Sequence, residues 1–419
     1  MKIFRGWKIV AVAFVCYGFG ISPAYYSWGF YFPELSVELG YTKADLGLVF
    51  GLFTFLYSAV GPIVGFLQNR IGIRTVMTLG SFLAAIGFII VSRADTKAEF
   101  LIGFSVFGGC GIGLSTIIPT QTLGQNWFLK RRALAIAIIM CAGGIVGKIV
   151  PMVDAWVIEN FDGTWRTGWV IIACVSVVVG LLAAAFVRDT PEQLGLNRDG
   201  AATPAPSKET TQVPIEEEVS WTARQAVATR QFFLITIAGV AYATPWGVVV
   251  AHGRTHLSEL GFELKDIAAL MGSLALVSIL GRVTGILGDR LNPRYVIIVG
   301  LALEGIGAAG FYFVDSKAFA SLCLLLLGIG FGATYICIPV IFSEYFGRKA
   351  FGTTAGTRML ITGVFNGLGP FVTGLIADKT GSYFIPFMAL AVLCFIGSFA
   401  AAVCTDPGPP PGSKSEPEP

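Results

Sequence analysis

Arg282 is the side chain of this sequence whose chemistry is easiest to define. It follows the apolar stretch 274–281, in which no residue carries a charge. An unpaired guanidinium at that depth in a membrane is costly, so Arg282 should face a protein interior and meet a partner there. Its planar fork can donate two parallel hydrogen bonds to a carboxylate, which a lysine cannot do. Arg282 is therefore a candidate residue for binding a small organic anion.

Two structural explanations of Arg282 stay open beside this one. It could form an ion pair with an acid such as Asp154 or Glu304, or lie close enough to an aqueous face to extend its charged head into water. Lys148, in the middle of another apolar run, is a second intramembrane cation. It could pair with an acid or, less readily, with a substrate.

Few groups in the apolar runs could carry a proton, which requires a pKa that can move into the physiological range. His252 and His256 are the only histidines, and Asp154 and Glu304 are the acids within or at the edge of these runs. We take His252, Asp154 and Glu304 as candidates for proton coupling. The alternative for each is an ordinary polar residue with satisfied hydrogen bonds.

Other side chains in the apolar runs could orient a small carboxylate or close an apolar wall around it. The orienting candidates are Tyr25, Tyr26, Thr116, Tyr335 and Asn366, and the wall candidates are Trp28, Phe331 and Phe365. A tyrosine in such a run also packs structurally with a satisfied hydroxyl, so both interpretations stand. No nucleophile and base pair and no metal-ligand cluster stands out, so we expect neither enzyme chemistry nor a metal or cofactor.

The composition predicts what must position these residues. The chain is 54% hydrophobic and 13% charged, with a mean hydropathy of +0.73, which excludes an ordinary soluble globule and indicates a polytopic membrane protein. The net charge of +3 is small, and nothing indicates nucleic-acid binding. The eight cysteines lie in or beside apolar runs without CxxC clustering, as expected of small buried side chains.

Twelve apolar runs are long enough to cross a hydrocarbon core of about 30 Å as helices. The first has no cleavage site and should remain as a span. The even number places both termini on one side, and the distribution of Lys and Arg predicts that this side is cytoplasmic, in a plasma or inner membrane. The runs lie at 7–32, 46–67, 75–93, 100–126, 133–157, 167–187, 231–253, 266–288, 295–314, 318–343, 352–377 and 382–404.

The runs fall into two groups of six, separated by a segment of different composition. We predict an N-terminal bundle at 1–187, a flexible cytoplasmic linker at 188–230, a C-terminal bundle at 231–404 and a disordered cytoplasmic tail at 405–419. The fold class is thus an all-α membrane protein of twelve transmembrane helices in two pseudo-symmetric six-helix bundles, acting as a monomer.

Two copies of one loop signature, G-x-L-x-[DN]-R-x-x-x-R, occupy matching positions in the two groups, about 220 residues apart. They are Gly65–Arg74 and Gly285–Arg294. The small residue lets two helices approach closely, and the polar residues cap helix ends. A single copy could be an ordinary basic turn, but the pair resembles the major facilitator superfamily of transporters.

Three further segments are similar to the monocarboxylate transporter family and its bacterial oxalate/formate relatives. They are the aromatic pair and basic cluster at 127–135 with the small residues Ala142-Gly143-Gly144, the segment 335–349, and Tyr25-Tyr26-Ser27-Trp28. The alternative for the first is a generic basic loop. The resemblance implies that Arg282 binds substrate, because family members carry an anion-binding arginine in the eighth helix, and it makes Tyr335 the next candidate.

The sequence also departs from that family. Arg282 precedes Gly285 by three residues instead of the usual four, so its side chain could be rotated. Tyr26 and Ser278 stand where mammalian members have a lysine and an acid for proton coupling. Met359 occupies the position at which the oxalate/formate exchangers carry a second cation. The absence of that cation suits a monoanionic substrate. Arg358 is adjacent, however, and a shift of the match by one residue would reverse this inference.

The resemblance to the monocarboxylate transporter family implies a transporter of short monocarboxylates such as lactate or pyruvate, working by alternating access and coupled to a proton. One alternative is an organic anion exchanger of the oxalate/formate type. The other is a membrane receptor that binds its ligand without transporting it, against which the paired signature loops argue.

Overall fold

The computed structural model describes residues 4–161, 165–200, 221–286, 292–346 and 351–410, and within these ranges the regular structure is helical. Parts of three predicted segments lie outside the described residues. They are 201–220 of the linker, 287–291 of the second signature loop and 411–419 of the tail. Arg348 and Lys349 also lie outside.

The described residues of the first half form ten helices, and some membrane spans consist of two or more of them. A π-helical turn, Ile102–Gly108, joins α6 to α7. The helices are α1 (Arg5–Phe30), α2 (Phe32–Leu39), α3 (Lys43–Ala59), α4 (Gly61–Ile71), α5 (Ile73–Ser92), α6 (Lys97–Leu101), α7 (Gly109–Ser115), α8 (Ile117–Trp127), α9 (Arg132–Asn160) and α10 (Trp165–Phe186).

The second half begins after two 3₁₀ segments, Pro191–Leu194 and Arg198–Gly200. Its long helices are less interrupted than those of the first half. The helices are α11 (Ala223–Val227), α12 (Arg230–Glu259), α13 (Leu264–Ile286), α14 (Pro293–Tyr312), α15 (Lys317–Phe346), α16 (Phe351–Thr380) and α17 (Phe384–Val403).

The predicted all-α membrane fold is confirmed. Eleven helical runs in the described residues are long and apolar enough to cross a membrane. The remaining predicted crossing, 46–67, is divided between α3 and α4 at Val60. Hydrogen bonding continues through this division, because the Val60 amide donates to the Leu56 carbonyl and the Val64 amide to the Val60 carbonyl.

Helix starts follow local capping chemistry. Thr42 and Asp45 form a reciprocal capping box at the start of α3, and Thr96 and Glu99 form another at α6. The carboxylate of Asp189, which follows α10, accepts hydrogen bonds from the Ile73 and Arg74 amides and so caps α5. The first signature loop is therefore tied to the chain segment that leaves the first half.

The two halves meet along close helix crossings that only glycine permits. A Cβ at Gly51 of α3 would lie 1.9 Å from the Gly367 carbonyl oxygen of α16. A Cβ at Gly47 would lie 2.0 Å from the Pro370 carbonyl oxygen, and one at Gly144 of α9 would lie 2.8 Å from that of Ala275 in α13. Small residues thus let backbones from opposite halves touch, as is typical of helix packing in membranes.

The halves fit more tightly at one end than at the other. We call the end that holds Arg5 and Val403 the terminal end, and the end that holds residues 31–45 the opposite end. The close α3–α16 crossings extend toward the opposite end, where a Cβ at Gly374 would meet the Lys43 carbonyl oxygen at 2.0 Å. Toward the terminal end, no atom of the described residues lies within 4 Å of where a Cβ would stand at Gly65 of α4 or at Gly356 of α16.

Candidate functional site

Arg282 lies between the two halves and is partly buried. Its Nη1 donates to the carbonyl oxygen of Met140, on α9 of the other half, at 2.5 Å. Its guanidinium carbon lies 5.2 Å from the centre of the Tyr335 ring, and its Nε is buried with no hydrogen-bond partner in the described residues. The arginine is held by a carbonyl and an aromatic face, and it keeps an unused donor.

Neither acid proposed as an ion-pair partner forms a salt bridge with Arg282 in the described residues. The Asp154 Oδ1 accepts a hydrogen bond of 2.8 Å from the Tyr31 hydroxyl. Burial and the neighbouring Asp154 carboxylate raise the pKa of Tyr31, which lies between α1 and α2, so the hydroxyl keeps its proton and donates. Glu304 is fully buried, and neither of its oxygens has a hydrogen-bond partner among the described residues.

Tyrosines of both halves surround Arg282. The hydroxyls of Tyr17, Tyr26 and Tyr335 all lie within electrostatic range of its guanidinium. The glycines of α9 make room for the first two, because a Cβ at Gly143 would lie 3.2 Å from the Tyr17 ring and one at Gly147 would lie 2.6 Å from the Tyr26 ring. The small residues of α9 therefore shape the tyrosine-lined space.

An aromatic wall extends from Tyr335 through the interior of the second half. The Phe331 ring lies 5.7 Å from that of Tyr335 and stacks on Trp246 at 3.8 Å between ring centres. The Tyr242 ring lies 6.4 Å from the Tyr335 ring. Phe331 was predicted as part of an apolar wall, whereas Trp246 was not.

A second arginine lies in the interior on α16. Arg358 is only 5% exposed while Met359 is 44% exposed, so the adjacent residue, not the matched one, faces inward. Its guanidinium contacts the Tyr242 hydroxyl and lies 5.8 Å from the Phe342 ring. The inference that the interior lacks a second cation, drawn from Met359, was therefore wrong.

Arg358 begins a polar stripe on one face of α16, with Thr362 and Asn366 one and two turns further along. The Nε and Nη1 atoms of Arg358, the Thr362 Oγ1 and the Asn366 Oδ1 are buried without hydrogen-bond partners in the described residues. The stripe faces two glycines of α12: a Cβ at Gly239 would lie 3.0 Å from Arg358 Nη1, and one at Gly247 would lie 2.5 Å from Asn366 Oδ1. Buried donors and acceptors without partners mark a place where water or a ligand would be stabilised.

Some predicted site residues lie away from this group. Trp28 is buried in the first half, where its Nε1 donates to the Leu46 carbonyl at 3.0 Å and its ring stacks on Phe104. The Thr116 Oγ1 donates to the Ile112 carbonyl at 2.7 Å, at the break between α7 and α8. Tyr25, by contrast, lies beside the group, because its ring centre is 5.5 Å from that of Tyr26.

The remaining intramembrane ionisable residues have defined partners. His252 has both ring nitrogens engaged, with Nδ1 at 3.3 Å from the Tyr383 hydroxyl and Nε2 at 2.9 Å from the Pro370 carbonyl oxygen. The Lys148 ammonium of α9 donates to the Ala269 carbonyl of α13 at 3.0 Å. Lys148 and Arg282 thus bridge the halves in opposite directions, each through a carbonyl.

Charged side chains close the opposite end. Arg254 of α12 and Glu34 of α2 form two parallel hydrogen bonds of 2.9 and 2.8 Å between the halves. Lys43 pairs with Glu259 at 2.5 Å, and the Asp378 carboxylate of α16 accepts from the Lys43 and Ala44 amides, capping α3 across the interface. Single-sequence reasoning missed these bridges, because their partners are more than 200 residues apart.

Comparison with known proteins agrees with this architecture. The family model described as Major Facilitator Superfamily matches residues 9–364 and 283–419. The chain is 25% identical over 390 residues to a probable sulfoacetate transporter of Cupriavidus necator, covering 88% of this chain and 87% of the relative. It is 25% identical over 402 residues to monocarboxylate transporter 13 of Rattus norvegicus, covering 94% and 87%.

A solved structure shows the same fold. The chain superposes with a TM-score of 0.71 and 17% identity on a bacterial homologue of the human lysosomal transporter Spinster, in an inward-facing, unoccupied conformation. The match covers 96% of this chain and 95% of that one.

Proposed function

The chain belongs to the Major Facilitator Superfamily and is related to the monocarboxylate transporters, and from that premise we propose that it carries small organic anions bound by Arg282. It is an integral membrane transporter, not an enzyme. The proposed substrates are short monocarboxylates of the lactate or pyruvate kind, moved together with a proton.

The proposal rests on the contacts of the Arg282 guanidinium. A carbonyl and a ring hold the guanidinium between the halves, and no carboxylate neutralises it in the part of the chain that the structure describes. A cation in a membrane interior is stabilised most by an opposite charge, and an arriving carboxylate supplies one with matching geometry. Its unpartnered Nε is a donor that the substrate could use.

We assign the surrounding residues by position. Tyr335 and Tyr26 would orient the carboxylate beside Arg282, and Trp246 with Phe331 would form the apolar wall. Asn366 would contact the far end of the substrate from α16. Tyr25 supports Tyr26, while Trp28 and Thr116 act through the helices they stabilise.

Alternating access explains why the site lies between the halves. The salt bridge at the opposite end and the lack of close contacts at Gly65 and Gly356 among the described residues support a state that is open toward the chain termini. We propose that the termini are cytoplasmic in a plasma or inner membrane, because basic residues gather at that end, as at Lys130-Arg131-Arg132. This state would then face inward, and one chain would be the transport unit.

Arg358 favours a second candidate function, the transport or exchange of dianions. The partly buried Arg282 and the buried Arg358 lie on different helices and could bind two anionic groups of one substrate, and one relative is named a probable sulfoacetate transporter. In this alternative the Arg358 donors meet the second anionic group.

Uptake into proteoliposomes tests both candidates. Labelled lactate, pyruvate, oxalate and sulfoacetate would be supplied with an inward proton gradient, with no gradient, and with unlabelled anion inside. We expect gradient-driven uptake of a monocarboxylate. Uptake driven only by internal anion would favour exchange, preference for oxalate or sulfoacetate would favour the dianion candidate, and binding without flux would indicate a receptor.

A further inference from the structure

We propose that the first half holds a lipid-facing site for a lipophilic primary amine, in a cavity whose inner end carries Asp154. The cavity lies between α1, α9 and α10, and none of the residues described around Arg282 lines it. Counting its open mouth, it contains about 540 Å³ of space that protein atoms do not fill. The inference is independent of the proposed function, because it concerns binding from the membrane and not transport.

The walls of the cavity are apolar and reach the membrane-facing surface. Phe19 of α1 is 39% exposed, and Ile149 and Val153 of α9 are 48% and 41% exposed, and all three line the cavity. Exposed apolar side chains on transmembrane helices are in contact with lipid chains, which are as apolar as they are. A molecule dissolved in the bilayer can therefore enter the cavity without crossing water.

The inner end of the cavity is polar. Asp154 is 4% exposed and Ser27 is 0% exposed, and neither Asp154 Oδ2 nor Ser27 Oγ has a hydrogen-bond partner in the described residues. The two groups lie close together without reaching hydrogen-bond geometry. The other carboxyl oxygen accepts from the Tyr31 hydroxyl, for which Gly168 makes room, because a Cβ there would lie 2.2 Å from the hydroxyl oxygen. One carboxyl oxygen of Asp154 is thus left without a partner at the end of an apolar cavity.

A lipophilic amine matches both parts of this cavity. A lipid chain alone would fill the apolar walls but leave Asp154 Oδ2 without a partner, and water alone would meet the polar atoms but leave most of the apolar space unfilled. An ammonium group donates charge-assisted hydrogen bonds to a carboxylate. A neutral amine fits the protonated acid equally well, because its lone pair accepts the Asp154 proton and the same ion pair results.

The depth of Asp154 favours an amine without a phosphate group. Asp154 lies six residues before the end of α9 at Asn160, which places it about 9 Å inside that end of the helix. None of the described residues that line the cavity is basic, so none would neutralise a phosphate. Arg254 lies within electrostatic range of Asp154, but its two terminal nitrogens donate to Glu34. The occupant is a single-chain amine whose nitrogen meets Asp154 and whose chain runs toward Phe19.

Thermal unfolding of the full chain in phosphatidylcholine nanodiscs tests this site, with decylamine as the probe and decan-1-ol as its uncharged counterpart. A ligand that binds the folded state raises the unfolding midpoint in a saturable way. We expect decylamine to raise the midpoint of the wild type and decan-1-ol to raise it much less. In Asp154→Asn, the decylamine concentration for half of the shift should increase at least about tenfold, because a charge-assisted bond is lost.

A pair of tryptophan variants tests the location without changing the carboxyl group. Val153→Trp would fill the cavity, whereas Met152→Trp places the same ring on a neighbouring side chain that is 52% exposed and does not line the cavity. We expect Val153→Trp to abolish the decylamine shift and Met152→Trp to retain it. This pair decides the question if Asp154→Asn does not fold.

Several results would overturn the inference. They are a wild-type shift that is absent or is equalled by decan-1-ol, an unchanged decylamine response in folded Asp154→Asn, and equal responses of the two tryptophan variants. Loss of the decylamine shift in nanodiscs that contain phosphatidylethanolamine would show that an aminophospholipid occupies the cavity, against the single-chain amine proposed here. Because transport is not measured, failure of this inference would leave the proposed function standing.

Discussion

Arg282 shows what the sequence could predict about a single residue. Its depth in the membrane followed from the apolar residues before it, and its chemistry followed from the guanidinium group. Its contacts did not, because the Met140 carbonyl that it meets lies in the other half, 142 residues away. The prediction that it binds substrate stands on this geometry, and a transport measurement tests it.

Arg358 shows the limit of matching residues by sequence. Successive residues in an α-helix point about 100° apart, so a shift of one position exchanges an inward for an outward side chain. Met359 faces out and Arg358 faces in. The identity of the helix could be predicted from the sequence, but which of its residues faces the interior depended on how the helix is rotated against α12.

Substituting Arg358 by glutamine should separate monoanions from dianions. If Arg358 binds a second anionic group, the loss of a charge-assisted hydrogen bond, worth about 1.5–3 kcal/mol, should raise the KM for oxalate or sulfoacetate by about 10- to 100-fold. The KM for lactate at a fixed pH should change less. Arg188→Gln, a surface arginine that bonds its own backbone, is the control. An equal effect on both substrate classes would contradict this assignment.

The positions of the membrane-spanning helices could be predicted from the sequence, but the breaks within them could not. Their approximate positions could be predicted, since about 20 apolar residues are needed to cross the membrane. The short helix α2, the π-helical turn in the fourth span and the break at Thr116 could not. At Thr116 the backbone has φ −112° and ψ −97°, a local geometry that no sequence pattern in this region indicates.

Neutralising Glu34 on α2 should loosen the closed opposite end. Glu34→Gln would leave Arg254 buried without its carboxylate, which costs several kcal/mol when one partner of a buried pair is removed, and less here because Glu34 is partly exposed. A cysteine at position 255, in Thr255→Cys, should then react faster with a membrane-impermeant maleimide added from the side of the opposite end.

Glu38→Gln is the matched control, because Glu38 also lies on α2 and also pairs with an arginine. Its partner Arg166 belongs to the same half, so this pair does not join the two halves. Equal labelling rates in the two variants would show that the Glu34–Arg254 pair does not hold the opposite end closed.

The assembly of two halves around one site could be foreseen in outline. Repeated signature loops indicated the duplication, and the apolar runs indicated two groups of six spans. The conformational state could not be inferred, because it depends on polar bridges between distant residues and on glycine crossings of α3 with α16. Both kinds of contact exist only once the halves have come together.

Rocking of the halves should change distances at the two ends in opposite directions. Spin labels at Val37 and Leu260 would report on the opposite end, and labels at Leu129 and Tyr295 on the terminal end; all four side chains are exposed. Cys174, the exposed native cysteine, would be replaced by serine. Adding substrate should lengthen the first distance and shorten the second in part of the population. Changes of the same sign would contradict a rocking motion.

Carboxylate flux through an Arg282→Ala variant tests the central claim most directly. Size-exclusion and thermal-unfolding profiles matching those of the wild type would establish folding, and Arg282→Lys would separate the charge from the two-pronged geometry. We predict that Arg282→Ala lowers uptake by at least about 100-fold, equivalent to about 3 kcal/mol, with a smaller loss in the lysine variant. Wild-type uptake by a folded Arg282→Ala protein would contradict the assignment of Arg282 as the anion-binding residue.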